Sequence, residues 1–253
     1  MKRDISFWHA RYHQQASWTS ATREYIFKQI GILPHDRLLE VGCGSGAVLE
    51  MLARDGFYNL TGIDIDHSTM YETHILHSHV CADGLKIPFP NASFAHSLCH
   101  FYLLWLQNPM IALEEMTRIT QPDGWVLARA EPDYGGRISS PHALERLGNL
   151  QTRSLEHQGA DVRMGRRLRG LFTDAGLVDV QGGIIAAQWA PGGAESTFMQ
   201  DREVLAHDLD GLIGQSEFDD LMSQAEESIL VDQSIWFVPI FYAFGRVPPS
   251  KKG

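Results

Sequence analysis

The run Leu38-Leu39-Glu40-Val41-Gly42-Cys43-Gly44-Ser45-Gly46, followed by Leu60-Thr61-Gly62-Ile63-Asp64, restricts this chain more than any other stretch. A short apolar segment enters three alternating glycines, and an acid stands 22 residues after the first of them. Glycines lack the Cβ atoms that would block a tight strand-to-helix turn and the close approach of a ligand. The helix that follows aims its free N–H groups and positive dipole end at whatever sits in the turn. A second strand ending in Asp64 places a carboxylate where it can accept hydrogen bonds from a ribose diol. The pattern implies a Rossmann-like unit and an adenosine-type cofactor.

The rest of the chain extends that unit. Strands are expected over 37–42, 59–64, 78–82, 94–100 and 125–130, with helices over 46–55, 68–77 and 110–120 between them. Such alternation predicts an α/β, doubly wound, mostly parallel sheet covered on both faces, completed to seven strands by 177–187 and 235–245. Residues 7–31 read as one or two helices stopped by Gly31 and Pro34, and 141–175 as helical with Gly176 as C-cap. The expected organisation is a helical cap over 1–35, a cofactor-binding core over 36–135 and a helical excursion over 136–176. The last strands fill 177–253, with an acidic helical lid inserted at 192–232.

Composition bounds the partners. With 253 residues, 44% of them hydrophobic, the chain can bury one α/β core with excursions. The net charge of −10 is concentrated: residues 201–232 hold ten acids against one base, Arg202. The remaining body is close to neutral and exerts no general attraction on nucleic acid, which is not expected as a partner. No apolar run approaches the roughly 20 residues that span a bilayer. The start of the chain does not read as a leader, so a cytoplasmic location is expected, with Cys43, Cys81 and Cys99 as reduced thiols in or beside buried strands.

The glycines do not choose the cofactor, because Gly42-Cys43-Gly44-Ser45-Gly46-Ala47 also satisfies the dinucleotide pattern G-x-G-x-x-G/A. Glu40 is the first discriminator: a carboxylate two residues before the turn suits a cationic ligand and sits badly beside a pyrophosphate. Asp83 is the second, ending a strand in Cys81-Ala82-Asp83-Gly84, where a carboxylate can receive an adenine amino group. Together with Phe89-Pro90-Asn91-Ala92-Ser93-Phe94, these ordered motifs resemble the class I S-adenosylmethionine-dependent methyltransferases, specifically the type 11 or UbiE-like branch, over about residues 36–135. A looser similarity continues in Leu171–Val180.

The resemblance implies a site. Glu40, Gly42, Gly44 and Gly46, with Cys43 between them, would surround the methionine moiety; Asp64 would hold the ribose hydroxyls, with Ile65 against the adenine. Asp83 and Gly84 would contact the adenine ring, and Cys99 and His100 would line the sulfonium. S-adenosyl-L-methionine would be the cofactor and S-adenosyl-L-homocysteine the product. The sequence departs from the family where Ala95 follows Phe94, and where Leu104-Trp105 replace paired histidines.

Methyl transfer from a sulfonium needs alignment first, and a base only if the nucleophile arrives protonated. His100 and Tyr102 are the candidates for that base. Glu131, Tyr134 and Arg137 follow the fifth strand and form an expected acceptor wall, with Asp133 among them; Arg137 could pair with a substrate carboxylate. Tyr12, Trp18, Trp105 and Trp189 could close an aromatic cover. His74, His77, His79 and Cys81 invite a metal reading, but Cys81 reads as part of a buried strand pointing independently of the helix, and no metal is expected. Arg163, Arg166, Arg167 and Arg169 read as a solvated helix face. The expected activity is methyl transfer to the oxygen or nitrogen of a small organic acceptor. An RNA- or protein-directed methyltransferase, a cofactor-binding protein without catalysis, and a nicotinamide-dependent oxidoreductase stay open at this point.

Overall fold

The computed structural model describes residues 5–66, 68, 78–185 and 193–250. The core is a seven-stranded sheet in the order β3-β2-β1-β4-β5-β9-β7. Its strands are β1 (Leu38–Val41), β2 (Leu60–Asp64), β3 (Ser78–Cys81), β4 (His96–Cys99), β5 (Trp125–Pro132), β7 (Val178–Ile185) and β9 (Ile240–Arg246). β1 to β5 run parallel, and β9 is antiparallel to both of its neighbours. The sheet reverses direction of growth between β1 and β4, so the crevice for a ligand opens at the carboxyl ends of those strands. β1 and β4 are buried along their whole length, as befits strands covered on both faces.

Helices clothe the sheet. α3 (Ala47–Arg54) buries Val48, Leu49 and Leu52. α4 (Pro109–Ile119) begins with Pro at its first turn and buries Ala112, Leu113, Met116 and Ile119 at helical spacing. The expected cap is two helices, α1 (Ile5–Trp18) and α2 (Ser20–Ile30), divided at Thr19 and stopped by Gly31 at φ 74°. The expected 141–175 helix is two as well, α5 (His142–His157) and α6 (Met164–Asp174), separated by a turn at Gly159 with φ 92°. The acidic segment forms α7 (Gly193–Asp208) and α8 (Gln215–Leu230). Leu144, Leu147 and Leu150 of α5 share one core with Phe198 and Leu205 of α7 and Met222 and Ala225 of α8.

Two expectations change. The final 235–245 strand is broken at Pro239, whose nitrogen cannot donate to a ladder. Its first piece, β8 (Ile235–Phe237), leaves the main sheet and pairs with β6 (Ile138–Ser140) as a two-stranded ribbon. Cys81 lies on the edge strand β3 and is exposed, not buried; all three thiols are free. The helix expected over 68–77 falls outside the described residues apart from Ser68. Among the described residues no helix is long and apolar enough to cross a membrane.

Candidate functional site

The turn that follows β1 enters the crevice with three glycines in left-handed conformations: φ is 72° at Gly42, 51° at Gly44 and 81° at Gly46. Side chains at such positions are strained, and a Cβ on Gly42 would also run into the Tyr102 ring. Gly46 caps α3. The turn is tied to β2, since Gly42 and Cys43 both donate their N–H to the Ile63 carbonyl, at 2.9 and 3.0 Å. Asp64 completes the tie: one carboxylate oxygen accepts the Gly44 N–H at 2.8 Å and the other the Asp66 N–H at 2.9 Å.

Beneath the turn lies a charge that sequence reasoning missed. Arg129, in the middle of β5, is fully buried, with its Nη2 reaching Thr19 Oγ1 at 3.5 Å. Burial and the nearby Arg23 guanidinium bring its pKa down to about 10. Glu40, also buried, is the acid that most favours the charged form of Arg129. Burial pushes the Glu40 carboxyl up to about 8, against the pull of Arg129 and with a further push from Asp64. Glu40 Oε2 has no hydrogen-bond partner among the described residues. A buried acceptor in that state is costly to the fold and is satisfied by a cationic or N–H-bearing ligand.

Glu40, Gly42, Cys43, Gly44 and Asp64 line a cavity of about 390 Å³. Its other walls include Tyr12 and Trp8 from the cap, His100, Tyr102 and Trp105 after β4, and His207 and Asp208 from α7. A second cavity of about 360 Å³ adjoins it, sharing Arg11, Gln15, Phe101, Tyr134 and Gln151 as common walls. Trp18, Arg137, Asp201 and Trp236 line only this second space. Both volumes are in the range of small-molecule sites.

The cofactor residues expected from sequence divide accordingly. Gly46 shapes the turn but does not line the cavity, and Cys99 is wholly buried at the end of β4. Ile65 is 71% exposed and Asp83 is exposed, with its Oδ1 accepting the Leu85 N–H at 2.8 Å. Gly84 lies under the Tyr102 hydroxyl, where a Cβ would collide with it. Trp189 lies outside the described residues.

The local chemistry opposes the base assignments. His100 is buried, and its pKa is driven well below the ordinary imidazole value by burial, then by Arg129 and Arg23. Such a ring accepts a proton poorly; its Nε2 stands 3.3 Å from Thr19 Oγ1. Burial likewise pushes the Tyr102 phenol up, with Cys99, Asp83, Asp64 and Glu131 adding to it, so a phenolate base is disfavoured. Buried Cys43 and Cys99 are raised for the same first reason.

Glu131 is corrected outright as an acceptor wall. It is wholly buried and lines neither cavity. Its Oε1 accepts the Tyr102 and Leu103 N–H groups at 2.9 Å and its Oε2 the Leu104 N–H at 3.2 Å. Burial raises it to about 7, with those three donors pulling it down. Glu131 thus fixes the 3-10 turn Leu103–Trp105 that carries Tyr102 and Trp105 to the cofactor cavity. Asp133 is spent on Arg166, which leaves that member of the arginine run paired rather than simply solvated.

Arg137 is held between aromatic rings, its guanidinium carbon 5.4 Å from the Tyr134 centroid and 4.4 Å from that of Trp236. Its Nη2 donates to Gln151 Oε1 at 2.5 Å, and Gln151 Nε2 donates in turn to Asp208 Oδ2 at 2.9 Å. Burial brings Arg137 down to about 10. Arg11 bonds Asp201 at 2.5 Å, and the Trp236 indole N–H donates to the other oxygen of the same carboxylate at 3.0 Å. Two of the ten clustered acids are therefore wall struts and not solvated charge. Burial raises Tyr134 to about 12, leaving a neutral phenol between the two cavities.

Comparison with known proteins agrees with this architecture. Residues 39–128 match the family model described as a methyltransferase domain. An uncharacterized methyltransferase of Schizosaccharomyces pombe is 29% identical over 161 residues, covering 56% of this chain and 57% of the relative. A demethylmenaquinone methyltransferase of Corynebacterium urealyticum is 29% identical over 111 residues, 44% of this chain and 46% of the relative. The chain thus spans about half the length of the curated relatives it matches. Among solved structures, a Haemonchus contortus phosphoethanolamine N-methyltransferase bound to S-adenosylhomocysteine superposes with a TM-score of 0.58 at 14% identity, covering 91% of this chain and 53% of that one. At that identity the likeness is one of fold.

Proposed function

From a chain whose residues 39–128 form a class I, S-adenosylmethionine-dependent methyltransferase domain, we propose that the protein transfers a methyl group from that cofactor to an oxygen or nitrogen of a small organic acceptor. The observation that carries this reading is the unpartnered Glu40 Oε2 in the wall of a cavity that also presents Gly42, Gly44 and Asp64 and opens beside a second one. The demethylmenaquinone methyltransferase relative supports a small-molecule acceptor.

The residues fit the cofactor. Glu40 meets its cationic end, the Gly42–Gly44 backbone allows close approach, and Asp64, already fixed by two backbone N–H groups, keeps lone pairs for ribose hydroxyls. When bound, S-adenosylmethionine supplies an activated methyl carbon, so the protein's task is alignment and exclusion of water. Proximity of that kind is worth roughly 7–11 kcal/mol in favourable cases. Phe101, Tyr134 and Gln151, which line both cavities, form the partition across which the two substrates meet, and Tyr12 and Trp105 cover the cofactor side. Arg137 and Trp236 shape the acceptor side. His100 and Tyr102 position and shield, and the acceptor loses its proton to solvent or arrives without it. The three free thiols suit a reducing compartment such as the cytoplasm.

Parallel calorimetric titrations with S-adenosylmethionine, S-adenosylhomocysteine and NAD test the cofactor. Binding of the first two, and not of NAD, is expected; binding of NAD alone overturns the reading. Formation of S-adenosylhomocysteine in step with a methylated product, followed by mass spectrometry over a panel of phenols, hydroxy acids and amines, tests the transfer.

A further inference from the structure

Two histidines of the cap play no part in the site above. His9 and His13 lie four residues apart on α1, hence on one face of the helix, with their ring centroids 4.5 Å apart. Glu50 of α3 rises to meet them. Its carboxylate is buried, with Oε2 2.8 Å from His13 Nε2 and Oε1 3.7 Å from His9 Nε2. One donor atom from each of the three lies within 4.8 Å of the others, the one such His/Cys/Asp/Glu grouping among the described residues.

We propose that His9, His13 and Glu50 form a site for one divalent transition-metal ion of the zinc type, which fastens the N-terminal cap to the glycine turn. The donor set is two imidazoles and one carboxylate, the three-ligand composition that holds zinc with a fourth position left for water. Bonds of about 2.0–2.1 Å in tetrahedral geometry place ligand atoms roughly 3.3 Å apart. The two histidine-to-carboxylate distances, 2.8 and 3.7 Å, bracket that value. Small rotations of two side chains convert the observed hydrogen bonding into coordination.

The second nitrogen of His9 supplies an independent sign. Its Nδ1 is 2.7 Å from Ser45 Oγ, inside the Gly42–Gly46 turn, which leaves Nε2 turned toward Glu50. Metal-bound histidines are oriented in this way, by a hydrogen bond from the nitrogen that does not coordinate. The side chains of His9 and His13 are 25% and 23% exposed, which gives an ion a way in. Arg54 stands 3.7 Å from Glu50 Oε2, but its side chain is 68% exposed and can swing into solvent.

The consequence is mechanical. Tyr12, between the two histidines on α1, lies over Gly44 and lines the cofactor cavity. A metal at this site would hold that wall in place from outside the cavity. It would also differ from the grouping the sequence suggested: His74 and His77 lie outside the described residues, and neither His79 nor Cys81 takes part.

The experiment uses the full chain, stripped with a chelator and titrated with Zn2+ alone and with Co2+ alone. One equivalent is expected at micromolar affinity or better, with the visible absorption of four- or five-coordinate Co2+, and a rise in Tm on loading. His13→Ala and Glu50→Gln should each weaken binding at least tenfold. Retention of S-adenosylhomocysteine binding and of helical circular dichroism by either variant shows that loss of metal is not loss of fold. Should both variants unfold, His9→Asn, whose ligand is the most exposed of the three, takes their place. No binding by the stripped wild-type protein overturns the proposal, and so does undiminished binding by the variants. None of these outcomes depends on whether methyl transfer is observed.

Discussion

The cofactor cavity takes its floor from backbone, whereas the cavity beside it is walled by residues from seven separated stretches of chain. Gly42 to Gly44 and Asp64 are fixed by N–H and carbonyl partners within β1, β2 and the turn between β1 and α3. The neighbouring space depends on Arg11 from α1, Tyr134 and Arg137 after β5, Gln151 from α5, Asp201 from α7 and Trp236 from β8. Backbone ladders tolerate much sequence change around them. A wall of interlocked Arg, Asp, Gln and Trp does not, because each polar group is buried on the strength of the next. A fold of this kind can therefore keep one cofactor and exchange acceptors by altering one set of side chains.

Glu131 is where the two regions can be broken together. Glu131→Ala strips the acceptor from three backbone N–H groups, at about 1–3 kcal/mol each. Urea unfolding should show a loss of about 3 kcal/mol or more, and cofactor and acceptor affinity should fall together. Glu40→Gln should act on the first region alone, weakening S-adenosylhomocysteine binding by calorimetry about 10- to 100-fold while leaving acceptor selectivity unchanged.

Gly148→Ala probes the second region. A Cβ there would stand 2.6 Å from Arg137 Cδ, so Arg137 must shift from its place between Tyr134 and Trp236. The acceptor KM should rise about threefold to tenfold with S-adenosylhomocysteine affinity unchanged. The gain in helix propensity, about 1 kcal/mol, roughly offsets the crowding in the stability.

A pH series separates charge from shape. The Glu40 carboxyl is raised to about 8, so near pH 6 it is mostly protonated and must ionise to meet a cation. Cofactor affinity should therefore rise from pH 6 to pH 7.5, with proton release detectable by comparing buffers of different ionisation enthalpy. In Glu40→Gln the rise should be absent. The smallest effect is expected from His100→Ala: kcat should change by less than about threefold with no limb lost from the pH–rate profile, whereas a lost limb would restore a proton-transfer role.

Much of the first region was legible in the linear chain. Alternating glycines, the acid before them and the acid ending the next strand act through neighbours in sequence or in the adjacent strand, where turn chemistry and parallel register leave few alternatives. Arg129 had a signal that went unused: a guanidinium in Val126-Leu127-Ala128-Arg129-Ala130 is out of place in a central strand unless a buried acid faces it. Glu131 is misplaced by an expected strand end at residue 130: β5 runs on to Pro132, and the buried carboxylate collects three N–H groups.

The sequence by itself determined the strand–turn–helix that a cofactor can approach, the parallel sheet around it and the acidic character of 201–232. Those features rest on local conformational preference and on hydrophobic period, both readable along the chain. Only the tertiary structure decided which acids became struts, that Pro239 sends β8 away from the sheet, and that His9, His13 and Glu50 converge beside Ser45. Burial and pairing across 36 or 190 residues depend on how helices pack, and side-chain partners so distant leave no mark in either residue's own neighbourhood.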